Sequence, residues 1–292
     1  MQKFDIEKQR ATMFKANAER DKGLVEPADL TKIKNIAYGD NDPKYNLMDI
    51  YYPEGTKKPL PTIINVHGGG YLYGDKDIYR FYTMSLSTQG FTVVNASFRL
   101  APEAKYPAPL EDINNVCNFI VQHADEYMID LDNLFIMSDS AGAQIAEQYL
   151  TFLTNDKYAE LFNFKPAPVK IKAAVLNCGC YFIGKDTPME ERGYFYFGET
   201  PDLTTLSQFP VENFITKDFP AVLVVTATDD FMNERALPLV EILKNLNVPV
   251  EFKEYAHPQG ESLGHCFHLT LRTEIAQICN DEEIAFLKKH IN

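Results

Sequence analysis

The segment Asn133-Leu-Phe-Ile-Met-Ser-Asp-Ser140-Ala-Gly-Ala143 constrains the fold of this chain more than any other stretch. Leu134 to Met137 is an apolar run of strand length, and a helical pattern opens at Ala141, so the backbone must turn sharply from strand to helix at Ser140. A turn this tight projects its central residue beyond the sheet and tolerates only small residues two positions to either side. Gly142 meets that demand. Ser138 stands where the G-x-S-x-G pattern has its first glycine, and serine is small enough for the turn to close.

The rest of the chain repeats the same alternation. Ile33 to Tyr38 and Leu47 to Tyr52, with Asn41-Asp-Pro-Lys between them, form an opening β-hairpin. Thr62 to Val66, Phe91 to Ala96, Ile171 to Leu176, Ala221 to Thr226 and Val248 to Tyr255 are short strands rich in β-branched residues. Helical patterns lie over Asp77 to Thr88, Leu110 to His123, Ala141 to Leu153, Asn233 to Leu246 and Thr273 to Lys289. Strand and helix in turn specify an α/β fold: a mostly parallel sheet with helices on both faces. Two segments break the pattern. Residues 4–22 are charged with sparse apolar positions and form a helical N-terminal arm, spanning about 1–30 with its connection. Residues 180–216 lack periodicity but carry Tyr194, Phe195, Tyr196 and Phe197, which marks an inserted cap rather than a linker. No repeat or linker divides the chain, so residues 1–292 are expected to form one domain.

Composition narrows the function classes. The chain holds 28 Lys and Arg against 41 Asp and Glu, a net charge of −13. That balance argues against a nucleic-acid partner and against a polybasic membrane anchor. No apolar run reaches the length of a signal sequence or a membrane span, so a cytoplasmic location is expected. Cys117, Cys178, Cys180, Cys266 and Cys279 suit reduced thiols better than a disulfide framework. Cys178-Gly-Cys180 has no second Cys or His pair at matching spacing, so no metal is expected.

In an open parallel sheet, ligands bind beyond the carboxyl ends of the strands. Four loops start there: His67–Gly70, Ser138–Gly142, Asp229–Asp230 and 256–268. A serine hydroxyl at such a turn becomes a nucleophile only when a base reaches it and a carboxylate orients that base. Four histidines follow Ser140. His265, after Gly264 in the loop before the last helix, is the best-placed base; His257 is second, His268 third, and His290 lies near the chain end. Asp229 or Asp230, at the end of an apolar strand, supplies the acid, and position alone does not separate them. Gly68-Gly69-Gly70 lets the backbone approach a ligand closely, and Ala141 offers an N–H at the start of a helix. Tyr71 and Tyr73 follow the glycines and line the mouth of the site.

Taken together, His67-Gly-Gly-Gly70, Arg99-Leu-Ala-Pro-Glu103 with Pro107, Asp139-Ser-Ala-Gly142, Asp230 and His265 resemble the α/β-hydrolase fold. More closely, they are similar to the hormone-sensitive-lipase-like esterases and the small bacterial acetyl- and feruloyl-esterases, from about residue 45 to the C-terminus. The resemblance implies Ser140 as nucleophile, His265 as general base and acid, and Asp230, followed by Phe231-Met232, as the orienting carboxylate. It implies Gly69, Gly70 and Ala141 as oxyanion donors, a small-molecule ester as substrate, and neither metal nor organic cofactor. The expected activity is that of a serine carboxylesterase acting on short-chain esters, including acetylated carbohydrate or aryl esters. The same side chains would serve an amidase, a formamidase or a small peptidase, and the scaffold also suits a non-catalytic binding protein. Oligomeric state is not encoded legibly.

Overall fold

The short β-branched runs become the strands of one eight-stranded sheet, ordered β1-β2-β4-β3-β5-β6-β7-β8. The computed structural model describes residues 5–39, 44–183, 195–198 and 203–292. Helix α1 (Ile6–Asp21) precedes β1 (Leu30–Ala37) and β2 (Leu47–Pro53), which pair antiparallel as the expected hairpin. Then follow β3 (Leu60–Val66), α2 (Lys76–Ser87), β4 (Thr92–Ala96), α3 (Ala108–Gln122), β5 (Ile129–Asp139) and α4 (Ser140–Thr154). Two short helices, α5 (Asp156–Ala159) and α6 (Leu203–Ser207), flank β6 (Ile171–Asn177). The chain closes with β7 (Ala221–Ala227), α7 (Ala236–Asn245), β8 (Val250–Tyr255) and α8 (Glu274–Lys288). Strand β2 runs antiparallel to β4, and β3 to β8 pair in parallel.

Consecutive residues of the central strands point to opposite faces, and both faces are buried. Ile64, Val94, Ile136, Leu176 and Val224 join α3, α4 and α7 in one core. Ile63, Val93, Phe135, Val175 and Leu223 join α2 and α8 in the other. Two-sided burial explains why these strands are continuous apolar runs rather than alternating ones. Helix α2 starts where the Asp75 side chain accepts the Ile78 N–H at 2.8 Å, a side-chain cap on an otherwise unpaired donor. Helix 233–246 differs from expectation in its first turn: Asn233–Arg235 is a 3-10 turn, and the α-helix begins at Ala236.

The turn expected at 41–44 falls outside the described residues except for Lys44, as do Phe4, Tyr194, and 184–193 and 199–202 of the expected cap. Among the described residues, no helix is long and apolar enough to cross a membrane.

The strand order places the site. Strand β3 has β4 on one side and β5 on the other, so the connections leaving β3 and β5 diverge at their carboxyl ends. That divergence opens a crevice there. His67–Gly70 leaves β3 and Ser140 leaves β5.

Candidate active site

Ser140 turns the chain out of β5 at φ +53° and is the first residue of α4. A left-handed conformation in a non-glycine residue is costly and persists only where the surrounding fold enforces it. Gly142 shows the enforcement: a Cβ there would lie 2.3 Å from both the Val66 and the His67 carbonyl oxygens. Ser138, in place of the other small residue, is buried and donates its hydroxyl to the Val175 carbonyl of β6 at 3.0 Å. Its side chain therefore turns toward the neighbouring strand and leaves the turn free to close.

His265 Nε2 lies 2.8 Å from Ser140 Oγ, and His265 Nδ1 lies 2.7 Å from Asp230 Oδ1. The three residues come from the ends of β5 and β7 and the loop after β8. Asp230 Oδ1 also accepts the Met232 N–H at 2.9 Å. Burial pushes the Asp230 carboxyl up, but the hydrogen bond and charge of His265 and the Met232 N–H outweigh it, and the net pKa is below the usual carboxylate value. The neighbouring Asp229 faces the other way, accepting the Leu263 N–H at 3.0 Å, so Asp230 is the acid that meets the imidazole. The other three candidate histidines make different contacts. His257 lies 3.8 Å from Glu261 and His290 packs edge-on against Phe286. His268 is buried, its ring nitrogens have no hydrogen-bond partner among the described residues, and burial pushes its pKa down to about 3.

A backbone cradle faces Ser140. Gly69 and Gly70 have φ of +124° and +61°, and a Cβ on Gly69 would lie 1.8 Å from the Tyr73 carbonyl oxygen. Glycine is therefore required by both conformation and space. Gly68 N–H donates to Asp139 Oδ1 at 3.1 Å, and the Tyr79 hydroxyl donates to Asp139 Oδ2 at 2.8 Å. Asp139, next to the serine, thus ties the glycine loop to β5. Sequence reasoning passed over this carboxylate although it lies inside the motif, and nothing in the sequence pointed to Tyr79, 60 residues away. Burial pushes the Asp139 pKa up, against the opposing effect of Tyr79 and Cys266. His67 stacks on Phe98 with ring centroids 3.9 Å apart and places Nδ1 2.8 Å from the Gly68 carbonyl oxygen. Burial pushes its pKa down to about 4, so the ring is neutral near pH 7 and stiffens the loop.

A cavity of about 440 Å³ opens over these groups. Ser140, Ala141, Gly69, Gly70 and His265 line it together with Met13, Ala16, Asn17 and Arg20 of α1. Phe197 and Ile183, on the described part of the expected cap, and Phe231, Met232 and Arg235, beyond β7, complete the wall. Tyr71 and Tyr73 also line it, but each is committed to the protein. Tyr71 donates to Gln144 Oε1 at 3.1 Å and stacks on Tyr196 at 4.3 Å; the Tyr73 hydroxyl accepts from Asn17 Nδ2 at 3.2 Å.

The fold also assembles a thiol cluster that the spacing Cys178-Gly-Cys180 concealed. Cys178, His265 and Cys266 each bring a donor atom within 4.8 Å of the others, with Cys180 left out. Both imidazole nitrogens are already engaged, so a metal ion bound there would displace Ser140 or Asp230.

The fold agrees with comparisons to known proteins. The BD-FAE family profile matches residues 48–233. The acetyl esterase of Salmonella paratyphi A is 28% identical over 224 residues, covering 70% of this chain and 66% of the relative, just under two thirds of its length. The crystal structure of a tributyrin phosphonate-inhibited esterase B from Lactobacillus rhamnosis superposes with a TM-score of 0.83 at 21% identity, covering 97% of this chain and 93% of that one. A thermophilic carboxylesterase cloned from a metagenomic library superposes with a TM-score of 0.77 at 19% identity, covering 99% and 98%. The fold is that of the α/β-hydrolases, and the chain belongs to the BD-FAE family.

Proposed function

We propose that the protein is a serine carboxylesterase that hydrolyses short-chain carboxylic esters through an acyl-enzyme on Ser140. The observation that carries this reading is the continuous contact Asp230–His265–Ser140, at 2.7 and 2.8 Å. Ser140 Oγ attacks the ester carbonyl carbon while His265 Nε2 takes its proton. Asp230, held ionised, orients the ring and stabilises the imidazolium that forms. The N–H groups of Gly69, Gly70 and Ala141 receive the developing oxyanion, each donor contributing about 3 kcal/mol of transition-state stabilisation. The imidazolium then protonates the departing alkoxide. Water, deprotonated by the same nitrogen, attacks the acyl-enzyme and releases the carboxylic acid. The acetyl esterase relative favours a short acyl group, as does a cavity of about 440 Å³.

A fluorophosphonate probe tests the reading. It is expected to add its mass to the peptide containing Ser140, and Ser140→Ala, folded by circular dichroism, is expected to lose both the label and the turnover of 4-nitrophenyl acetate. Labelling of another residue, or turnover that survives Ser140→Ala, overturns it.

A further inference from the structure

Three arginines of this chain are neutralised where they stand. Arg10 forks onto Glu103 with two bonds of 2.7 Å. Arg20 forks onto Asp21 at 2.7 and 2.9 Å, and Arg99 meets Asp112 and Glu111 at 2.7 and 2.6 Å. Arg235, in the cavity wall, is different. Its Nη1 donates to the Tyr181 carbonyl oxygen at 2.8 Å and to Cys180 Sγ at 3.4 Å, and among the described residues it forms no ion pair. Arg80 and Arg272 also lack a carboxylate, but they do not line the cavity. Scarcity of acids is no explanation in a chain with 41 of them against 28 bases.

Nor does the helix explain this cation. Arg235 occupies the N-cap position of α7 and makes no side-chain cap bond. A helix N-terminus already carries partial positive charge and favours anions, so a guanidinium there works against the helix. The two positive charges instead add together at the carboxyl edge of β7. Cys180, which touches the guanidinium, donates its N–H to the Ser140 carbonyl at 3.2 Å. Arg235 is therefore one residue removed from the proposed nucleophile. The same cavity wall carries the apolar side chains Ile183, Phe197, Phe231 and Met232, and apolar surface nearby strengthens a charge pairing. Glu212 feels Arg235 only through space, and burial pushes its carboxyl up, which weakens it as a counter-ion.

We propose that Arg235 is the anion subsite of this cavity and that the substrate is an ester with a free carboxylate on its acyl or its alcohol half. A planar guanidinium whose other N–H groups have no partner among the described residues matches a carboxylate by a two-point contact. The inference rests on the esterase reading and deepens it.

Two matched substrate pairs test it. Mono-4-nitrophenyl glutarate against 4-nitrophenyl pentanoate places the charge on the acyl side; 4-acetoxybenzoate against its methyl ester places it on the alcohol side. In at least one pair the wild-type kcat/KM is expected to favour the anion tenfold or more, mainly through KM. That ratio is expected to fall at least tenfold in Arg235→Gln, to recover in part in Arg235→Lys, and to shrink in 0.5 M NaCl. Comparing ratios between variants cancels intrinsic differences in ester reactivity. A ratio at or below one in both pairs, or one that Arg235→Gln leaves unchanged, overturns the proposal. A second measurement needs no turnover: glutarate is expected to raise the Tm of Ser140→Ala and not that of Ser140→Ala with Arg235→Gln. If no ester is hydrolysed but this shift appears, the esterase reading fails and the subsite stands; if esters turn over and neither the ratio nor the shift appears, the subsite alone falls.

Discussion

Gly142 sets two residue-scale effects against each other. It lies in the first turn of α4, where alanine is the better helix former by about 1 kcal/mol. A Cβ at that position would stand 2.3 Å from two backbone carbonyl oxygens, and backbone cannot step aside as a side-chain tip can. Sterics should win: Gly142→Ala is expected to lower stability by about 3 kcal/mol or more in urea unfolding and to abolish ester turnover. A neutral or stabilising result would mean that β3 and α4 do not approach as closely as described. Ser138→Ala makes the milder case. It removes one buried hydrogen bond to Val175 and adds no bulk, so a loss of about 1 kcal/mol is expected with kcat little changed. The same scale shows where sequence stops. Small neighbours around Ser140 were legible because backbone geometry demands them. The choice between Asp229 and Asp230 was not, since adjacent carboxylates differ only in which way the folded chain turns them.

Helix α1 shows how an element can be present in the sequence while its attachment is hidden. None of its residues is buried, and a helix without an apolar stripe gains little from packing. It is held mostly by polar contacts. Arg10 reaches Glu103 and the carbonyl oxygens of Leu72 and Ala101, the last two at 2.8 and 2.9 Å. Arg20 donates to the Ile78 carbonyl at 3.0 Å, and Arg272 donates to the carbonyls of Arg20 and Lys22. These partners lie 58 to 252 residues away in sequence, beyond any local pattern. Arg10→Ala should therefore loosen α1 without unfolding the sheet. Amide exchange over residues 6–21 is expected to speed up roughly fivefold, an opening cost of about 1 kcal/mol once solvent screening of the half-exposed Glu103 is allowed for. Because Met13, Ala16, Asn17 and Arg20 line the cavity, KM is expected to rise while the global Tm moves by less than about 2 °C. A Tm drop as large as that of a core substitution would show that α1 is structural rather than a cover.

At the scale of the whole molecule, a mostly parallel sheet with helices on both faces follows from patterning, but the strand order and the ionisation of the interior do not. Glu147 of α4 is fully buried; burial above all, and then the nearby Glu212 carboxyl, push its pKa well above the ordinary value. Tyr158 and Tyr181 also face this pair, and Arg235 acts on Glu212. Burial likewise pushes Glu283 of α8 up to about 7, while it pushes His67 and His268 down to about 4 and 3. The signs decide the pH profile. A carboxyl with a raised folded pKa holds a proton that the unfolded chain has lost, so its contribution to stability declines as pH rises from the unfolded value toward the folded one. A histidine with a lowered folded pKa does the reverse: its cost grows as pH falls below about 6.5, where the unfolded ring takes up its proton. Between about pH 4.5 and 6.5 the buried carboxyls with raised pKa and the two buried histidines with lowered pKa act on stability in opposite directions. From about pH 7 to 8 the histidines are neutral in both states and the unfolded thiols are still largely protonated. The raised Glu147 pKa is a difference between the folded and unfolded states that Glu147→Gln removes. Wild-type stability should decline as pH rises toward the raised Glu147 pKa, and Glu147→Gln should decline less. Urea midpoints across pH 5 to 8 for the two proteins measure it. Parallel curves across the whole range would mean that the Glu147 pKa is not raised in the folded chain.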